Sequence, residues 1–323
     1  METDKPLISI LMAVYEPRMD WLKEQLDSLN QQTYPNLRLY ICDDASLNVP
    51  LEAIQTLVAE CITSFPYKII CNENNLGSNL TFERLTREAE GVYFAYCDQD
   101  DIWLPEKLEV LEQTMAESSA LLACSDMHVI DGDGKQIADS ITEVRRHHVF
   151  RTGNNLAKDL LIHNFVTGCT MLVLGDVAKE AVPFCPYMVH DHYLALWCAE
   201  HGSICSVQRP LIDYRIHGGN QTGILTGVVD KASYERVRID LLIDRISWLQ
   251  SQFPCGRGLQ KVMVEEMDWL QARKRSWNHQ GGGWTVWKYR RFSFLTSIAE
   301  LLLKYASDKI FIRAIMFARK NRI

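Results

Sequence analysis

Three carboxylates crowd into four positions of the stretch YFAYCDQDDIW, residues 93–103: Asp98, Asp100 and Asp101. They follow an apolar run of the kind that fills a buried strand. Like charges this close either titrate abnormally or share a cation. Diphosphate chemistry uses a hard divalent cation, which takes oxygen ligands, often only one or two of them protein carboxylates, with phosphate and water completing the shell. A short Asp-x-Asp at a strand end can supply those oxygens. The plainer reading is an Asp-rich turn that caps the next helix.

Further stretches carry candidate groups, each with a plainer alternative. CDDAS (42–46) ends a second apolar run in a carboxylate pair; Asp44 could accept a hydrogen bond from a base N–H, or form an Asx turn with Ser46. In NENNLGSN (72–79), Gly77 permits backbone N–H groups to approach a phosphate or sugar closely, or the segment is a simple loop. VHDHY (189–193) sets His190, Asp191 and His192 at a helix start, where Asp191 is either a general base for a hydroxyl or an N-cap. His217 in YRIHGGNQTG (214–223) is a metal ligand through neutral imidazole or a polar surface group. DGDGK (131–135) lacks the later ligands of a calcium loop and reads as a hairpin turn. Neither G-x-x-x-x-G-K nor G-x-G-x-x-G occurs.

The elements that must position these groups alternate. LISILMAVY (7–15), LRLYICDDAS (37–46), YKIICNENNLGS (67–78) and VYFAYCDQDD (92–101) read as strands. Helical spacing lies between them at 20–33, 50–65 and 79–91, with Asp20 as an N-cap, Pro50 in a first turn and Gly91 as a stop. Such alternation predicts a mostly parallel sheet flanked by helices, a Rossmann-like α/β arrangement, with ligands beyond the carboxyl ends of the strands. Asp43 and Asp44, the 72–78 loop and Asp98 to Asp101 all fall at those ends. A helix follows Pro105, then strands at 120–130, 164–175 and 203–217 with a helix at 189–202. Beyond GGNQTG the period is helical, at about 232–251, 258–275 and 293–319. The expected organisation is a catalytic domain over 1–223 and a helical extension over 224–323.

Composition narrows the class. A chain of 323 residues with 47% hydrophobic and 23% charged residues can bury a sizeable core. Net charge is −7, unevenly spread: residues 281–323 hold nine Lys or Arg against Glu300 and Asp308, so the remainder is strongly acidic. An acidic body repels nucleic acid and welcomes cations, while a basic tail opening with Trp284, Trp287, Tyr289 and Phe292 suits an anionic surface. The ten cysteines show no CxxC or zinc spacing and read as buried free thiols of a reducing compartment. METDKPLISI lacks the pattern of a secretory leader, and no run reaches the ~18 apolar residues of a membrane span. A cytoplasmic protein, peripheral on the inner face of the membrane, is the expectation.

The stretches ISILMAVYE, YICDDAS, NLGSN, CDQDDIWLPEKL, HDHYLALWCAEHG and YRIHGGNQTG occur in the order seen in family 2 glycosyltransferases of the GT-A fold, over about residues 7–223. D-Q-D-D-I-W with the later H-D and Y-R-x-H-x-x-N resembles the bacterial rhamnosyltransferase branch that builds surface polysaccharides. The resemblance implies an inverting transfer with Mn2+ or Mg2+ from a nucleotide-sugar donor, dTDP-rhamnose before a UDP-sugar, to a saccharide or lipid-linked saccharide. It assigns Asp191 as catalytic base, Asp100 and His217 to the metal, and Ala13, Tyr15, Glu16, Asp44, Asn75, Gly77, Asp98 and Gln99 to the donor. Tyr15 packs near the base and Asp98 contacts the ribose or metal region in that scheme. Ala13-Val14-Tyr15-Glu16 departs from the family's usual first-strand ending, Pro or Thr, then x-Tyr-Asn. The basic tail, with Phe294, Ile298, Leu301, Leu302, Tyr305, Ile312 and Met316 on one stripe, suits either a membrane interface or packing on protein, a homo-oligomer included. Two other readings compete: a sugar-nucleotide nucleotidyltransferase, which residues 13–20 disfavour for want of a Gly/Arg/Lys-rich loop, and a non-catalytic binding subunit.

Overall fold

A computed structural model describes residues 5–145, 148–217 and 225–321. The chain packs as two units, Met1–Phe184 with Val189–Gly218, and Cys185–Met188 with Gly219–Ile323. The boundary expected between 223 and 224 falls outside the described residues.

In the first unit the strands are β1 (Ile8–Val14), β2 (Leu37–Asp43), β3 (Tyr67–Cys71), β4 (Tyr93–Cys97), β5 (Ile102–Trp103), β6 (Leu122–Ile130), β7 (Gln136–Ala138), β8 (Gly153–Asn154), β9 (Met171–Leu174) and β10 (Ser203–Arg215). The helices are α1 (Met19–Asn30), α2 (Leu51–Cys61), α3 (Ser78–Glu88), α4 (Lys107–Ser118), α5 (Ile141–Val144), α6 (Ala157–Ile162), α7 (Gly175–Glu180) and α8 (His190–His201). The sheet order is β3-β2-β1-β4-β9-β6-β10-β5, with β7 on β6 and β8 on β10. β3, β2, β1 and β4 are parallel, whereas β9 runs antiparallel between β4 and β6. Register aligns the carboxyl ends: Val14 pairs with Asp43, Asp43 with Cys71, and Met12 with Cys97.

The apolar period of 2 builds the core. Ile8, Ile10, Met12 and Val14 enter one face with Leu39, Ile41 and Ala95, covered by Leu22, Leu26, Ile54 and Val58 of α1 and α2. Each such side chain contributes about 1.5–3 kcal/mol when fully buried. The other face receives Leu11, Phe94 and Tyr96, with Phe82 and Leu85 of α3 buried as well. The 131–135 turn joins β6 to antiparallel β7, closed by Asp131 N–H to Lys135 O at 2.9 Å. The strand expected over 164–175 is shorter: a 3-10 turn at Gly168–Thr170 precedes β9, and Asn164 closes a side-chain turn onto Val166.

The second unit holds α9 (Lys231–Glu235), a π-helical turn at Arg236–Asp240, α10 (Leu241–Gln252), α11 (Arg257–Trp277), α12 (Gly283–Lys288), α13 (Phe294–Leu303) and α14 (Asp308–Asn321). Val228, Tyr234, Ile239, Trp277, Phe311 and Ile315 form its apolar cluster. Inside it, Arg273 pairs with Glu300 at 2.5 Å and Arg245 with Glu266 at 3.1 Å. The single helix expected over 293–319 is two, broken near residue 305. There the Lys231 ammonium donates to Lys304 O and Ala306 O, taking over helix-end carbonyls. Apolar spacing runs in phase across that break, which is why periodicity alone does not show it.

Candidate active site

At the ends of β1 and β2, acids hold loops. Asp44 is buried; its Oδ1 accepts from Leu76 N–H at 2.8 Å and Asn72 Nδ2 at 2.7 Å, and its Oδ2 from Gly77 N–H at 2.8 Å. Gly77 sits at φ +82, a backbone conformation glycine adopts without strain, with open space beside its Cα. Asn75, in the same loop, is exposed. Asp43 takes the Ser46 hydroxyl at 2.6 Å. Glu16 accepts from Leu47 N–H at 2.7 Å and Asn48 N–H at 3.0 Å, and these amides hold its carboxyl below the usual range. Glu16 (φ 44) and Ala45 (φ 59) both adopt left-handed backbone here, strain that clusters at functional edges. Gln99 closes the gap to β4: its Oε1 accepts from Tyr15 N–H at 2.8 Å and its Nε2 donates to Tyr15 O at 3.0 Å. Ala13 is half-buried within β1, and the Tyr15 ring stands exposed at the rim.

After β4 the acids are not neutralised in the same way. Asp98 and Asp101 lie with the Cys169 thiol within 4.8 Å of one another. Asp101 is fully buried; one oxygen accepts from Arg215 N–H at 2.9 Å, and the other has no partner. Burial first, then the charges of Asp100 and Asp98, push its carboxyl well up. Asp98 is raised to about 7 by burial, then by Asp100, then by Asp191. Asp100 is half-buried, and its Oδ2 meets His217 Nε2 at 2.6 Å. Asp100 and His217 offer a carboxylate and an imidazole, donors that suit Mn2+, whereas the inner Asp98–Asp101–Cys169 group includes a thiol, a soft donor, beside an ammonium.

That ammonium is Lys107, and it was not among the sequence candidates. It is completely buried at the start of α4, donates to Cys169 O at 2.5 Å and stands 3.0 Å from the Trp103 ring centre. Burial lowers it to about 7, against the pull of Cys169, Cys97, Asp101 and Asp98. Its sequence signal is a lysine in step with Leu111 and Met115 on the apolar face of α4. Arg215 is a second omission. Its Nε donates to Asp100 O at 2.8 Å, its Nη1 to Asp131 O and Gly132 O at 3.3 Å, and its Nη2 to Glu24. Trp21 stacks beside it and lies 4.8 Å from the His217 ring, so the pair fixes where His217 stands.

Asp191 opens α8 and is nine-tenths buried. Its Oδ2 accepts from Gly168 N–H at 3.0 Å, and its Oδ1 from His192 N–H at 2.5 Å and Asn164 Nδ2 at 3.3 Å. Burial raises it to about 6, and the Gly168 and His192 amides oppose that rise. A Cβ on Gly168 would fall 2.7 Å from His190 Nε2, so a side chain here would displace the buried His190 ring at the start of α8. His190 is buried between Phe82 and Tyr96 and is held neutral, lowered to about 3. His192 turns away to Leu160 O. The structure thus brings Asp98, Asp100, Asp191 and His217 together, with Asp44, Gln99 and Glu16 bracing the loops beside them. Residues 218–223 of the YRIHGGNQTG stretch lie outside the described residues.

A sheet whose parallel half ends in a cluster of carboxylates, and whose later strands include one antiparallel insertion, is the GT-A architecture of glycosyltransferases. Residues 9–177 match the model of glycosyl transferase family 2, and the chain belongs to that family. It is 24% identical over 300 residues to an uncharacterized glycosyltransferase of Rickettsia conorii, covering 91% of this chain and 47% of that one. It is 25% identical over 210 residues to the UDP-Glc:alpha-D-GlcNAc-diphosphoundecaprenol beta-1,3-glucosyltransferase WfgD of Escherichia coli, 63% of this chain and 74% of that one. The chain spans about half the length of the first curated relatives it matches. Among solved structures, a mannosyltransferase of Pyrobaculum calidifontis in complex with GDP-Man and Mn2+ superposes with TM-score 0.56 at 14% identity, covering 99% of this chain and 87% of that one. At that identity the likeness is one of fold.

Proposed function

We propose that the chain is an inverting glycosyltransferase that moves a sugar from a nucleoside diphosphate to a hydroxyl of a saccharide or lipid-linked saccharide. The observation that carries this reading is the meeting of Asp98, Asp100 and Asp191, from two distant segments, close enough that the charges of Asp100 and Asp191 both act on Asp98. Asp191 takes the acceptor hydroxyl proton as that oxygen bonds the anomeric carbon, and the bond from that carbon to the diphosphate oxygen breaks. Its carboxyl near 6 is ionised at neutral pH yet basic enough to share the proton. Amides of Gly168 and His192 fix its direction. The 72–78 loop, braced by Asp44, and the Tyr15 rim, braced by Gln99, form the donor side together with Ala13, Glu16, Asn75, Gly77 and Asp98. Asp100 and His217 would hold Mn2+ or Mg2+, whose positive charge offsets that of a departing diphosphate.

For the donor, dTDP-rhamnose is proposed first, from the D-Q-D-D-I-W and Y-R-x-H pattern, and a UDP-hexose second. The named nucleotide sugars of the relatives, UDP-Glc and GDP-Man, support the donor class. The diphosphoundecaprenol acceptor of the Escherichia coli relative supports a lipid-linked saccharide of cell-surface polysaccharide synthesis. Thermal melting with dTDP, UDP and GDP, each with and without Mn2+, tests the reading. One nucleotide at 100 times its dissociation constant should add about 2.7 kcal/mol, only with metal, and Asp100→Ala should abolish that shift. Stabilisation by none of them would favour a glycan-binding subunit instead.

A further inference from the structure

We propose that the second unit docks on an anionic lipid surface through the outer faces of α12, α13 and α14. The inference rests on that unit alone and is independent of the transfer reading. Helix α13 is built inside out. Its buried residues are polar: Ser297 Oγ accepts from Trp269 Nε1 at 3.3 Å, and Glu300 takes Arg273 and the Tyr234 hydroxyl. Apart from Leu303, which packs on the apolar cluster, its largest apolar residues face away, with Phe294 53%, Leu295 61% and Leu302 67% exposed, and Tyr305 72% exposed just beyond. Ile298 and Leu301, half-buried, fall between them at helical spacing, which makes a continuous row rather than scattered side chains. A helix facing water on that side would carry the reverse pattern.

Cations and tryptophans border the row. Trp284 is 78% exposed, and the Arg290 guanidinium stands 4.4 Å from the Trp287 ring centre. Lys288, Arg290, Arg291 and Phe294 line a surface depression of about 350 Å³. Arg291 also pairs with Glu265. Along α14, Ile310 and Met316 are exposed among Lys309 and Arg313. Tryptophan, aliphatic side chains and Lys or Arg together match the headgroup boundary of a bilayer. Of the two acids among residues 281–323, Glu300 is already neutralised inside by Arg273, so the outer charge is positive. A second copy on a two-fold axis would bring like cations face to face. Among the described residues no helix is long and apolar enough to cross a membrane, so the contact is one of lying on the surface.

Sedimentation of the full chain with vesicles tests the assignment. Phosphatidylcholine mixed with phosphatidylglycerol should carry the protein down, phosphatidylcholine alone should not, and salt should weaken binding. Replacing Lys288, Arg290 and Arg291 by Gln should weaken binding roughly 100-fold. Leu295→Ser with Leu302→Ser should weaken it too, with an unchanged helical circular-dichroism signal and urea midpoint as proof of folding. Equal binding to both vesicle types, no binding to either, or binding untouched by the substitutions overturns the proposal. So does a dimer that the same substitutions dissociate without any vesicle binding. Loss of nucleotide binding with vesicle binding intact would strike the transfer reading and leave this one standing.

Discussion

Two strand ends in one sheet carry clustered aspartates, and they treat them in opposite ways. After β2, Asp44 accepts three protein hydrogen bonds and Asp43 holds Ser46, so both carboxylates serve as loop anchors. After β4, Asp101 keeps a buried oxygen without a partner, and Asp98 is driven to about 7 by burial and by its neighbours' charges. Anchoring uses charge that backbone amides neutralise; the second cluster has one such amide and the buried Lys107 beside it, and Asp98 and Asp101 still hold their protons more tightly than a free carboxyl does. Identical residue types at equivalent topological positions thus divide into hydrogen-bonded anchors and buried, unsatisfied acids.

The largest effect expected from breaking this contrast lies at the third partner of the second cluster. Asp191→Ala should lower kcat by about 10²–10⁴ while nucleotide binding persists; unchanged turnover would remove Asp191 as the base. Asp100→Ala should erase the metal-dependent stabilisation of about 2.7 kcal/mol at saturating nucleotide, read by melting. Asp44→Ala should destabilise the fold by about 1–3 kcal/mol even without ligand, because the Leu76 and Gly77 amides lose a buried acceptor. Loss of nucleotide binding at undiminished stability would make Asp44 a ligand group rather than an anchor.

Smaller effects concern pH. With Asp191 at about 6 and needed ionised, kcat/KM should fall about tenfold per pH unit below that value and level off above it. An acid limb unmoved by Asp191→Glu would assign it elsewhere. In chelator-treated protein, Asp98 and Asp101 bind protons more tightly folded than unfolded, so stability should decline as pH rises from about 4 to 7. Asp101→Asn should flatten part of that decline, measured by urea unfolding across the range.

The alternation of strands and helices through residue 101, and the gathering of Asp44, Gly77 and Asp98 at one edge, were legible because period and turn chemistry are local. The pairing of His217 with Asp100 spans 117 residues and has no local signal; only the family resemblance placed them together. Lys107 hid because a lysine ordinarily reads as surface, although its place beside Leu108 and in step with Leu111 marked it. The antiparallel insertion of β9 and the break near residue 305 escaped for a related reason. Strand direction and the Lys231 cap are decided by distant partners, not by nearby spacing.

Arg215 has a consequence for modularity. The family-matched stretch ends at 177, yet this guanidinium reaches back to Glu24, Asp100, Asp131 and Gly132, and the Arg215 backbone N–H holds one oxygen of Asp101. A fragment cut at 177 would keep Asp98, Asp100 and Asp101 but lose Asp191 and the Arg215 donors, along with the β10 edge that pairs Ile212 with Trp103. The cleft is therefore not a detachable cassette of the recognisable segment. Its shape is inherited only as a whole, and swapping the segment between relatives requires carrying the late strand along with it.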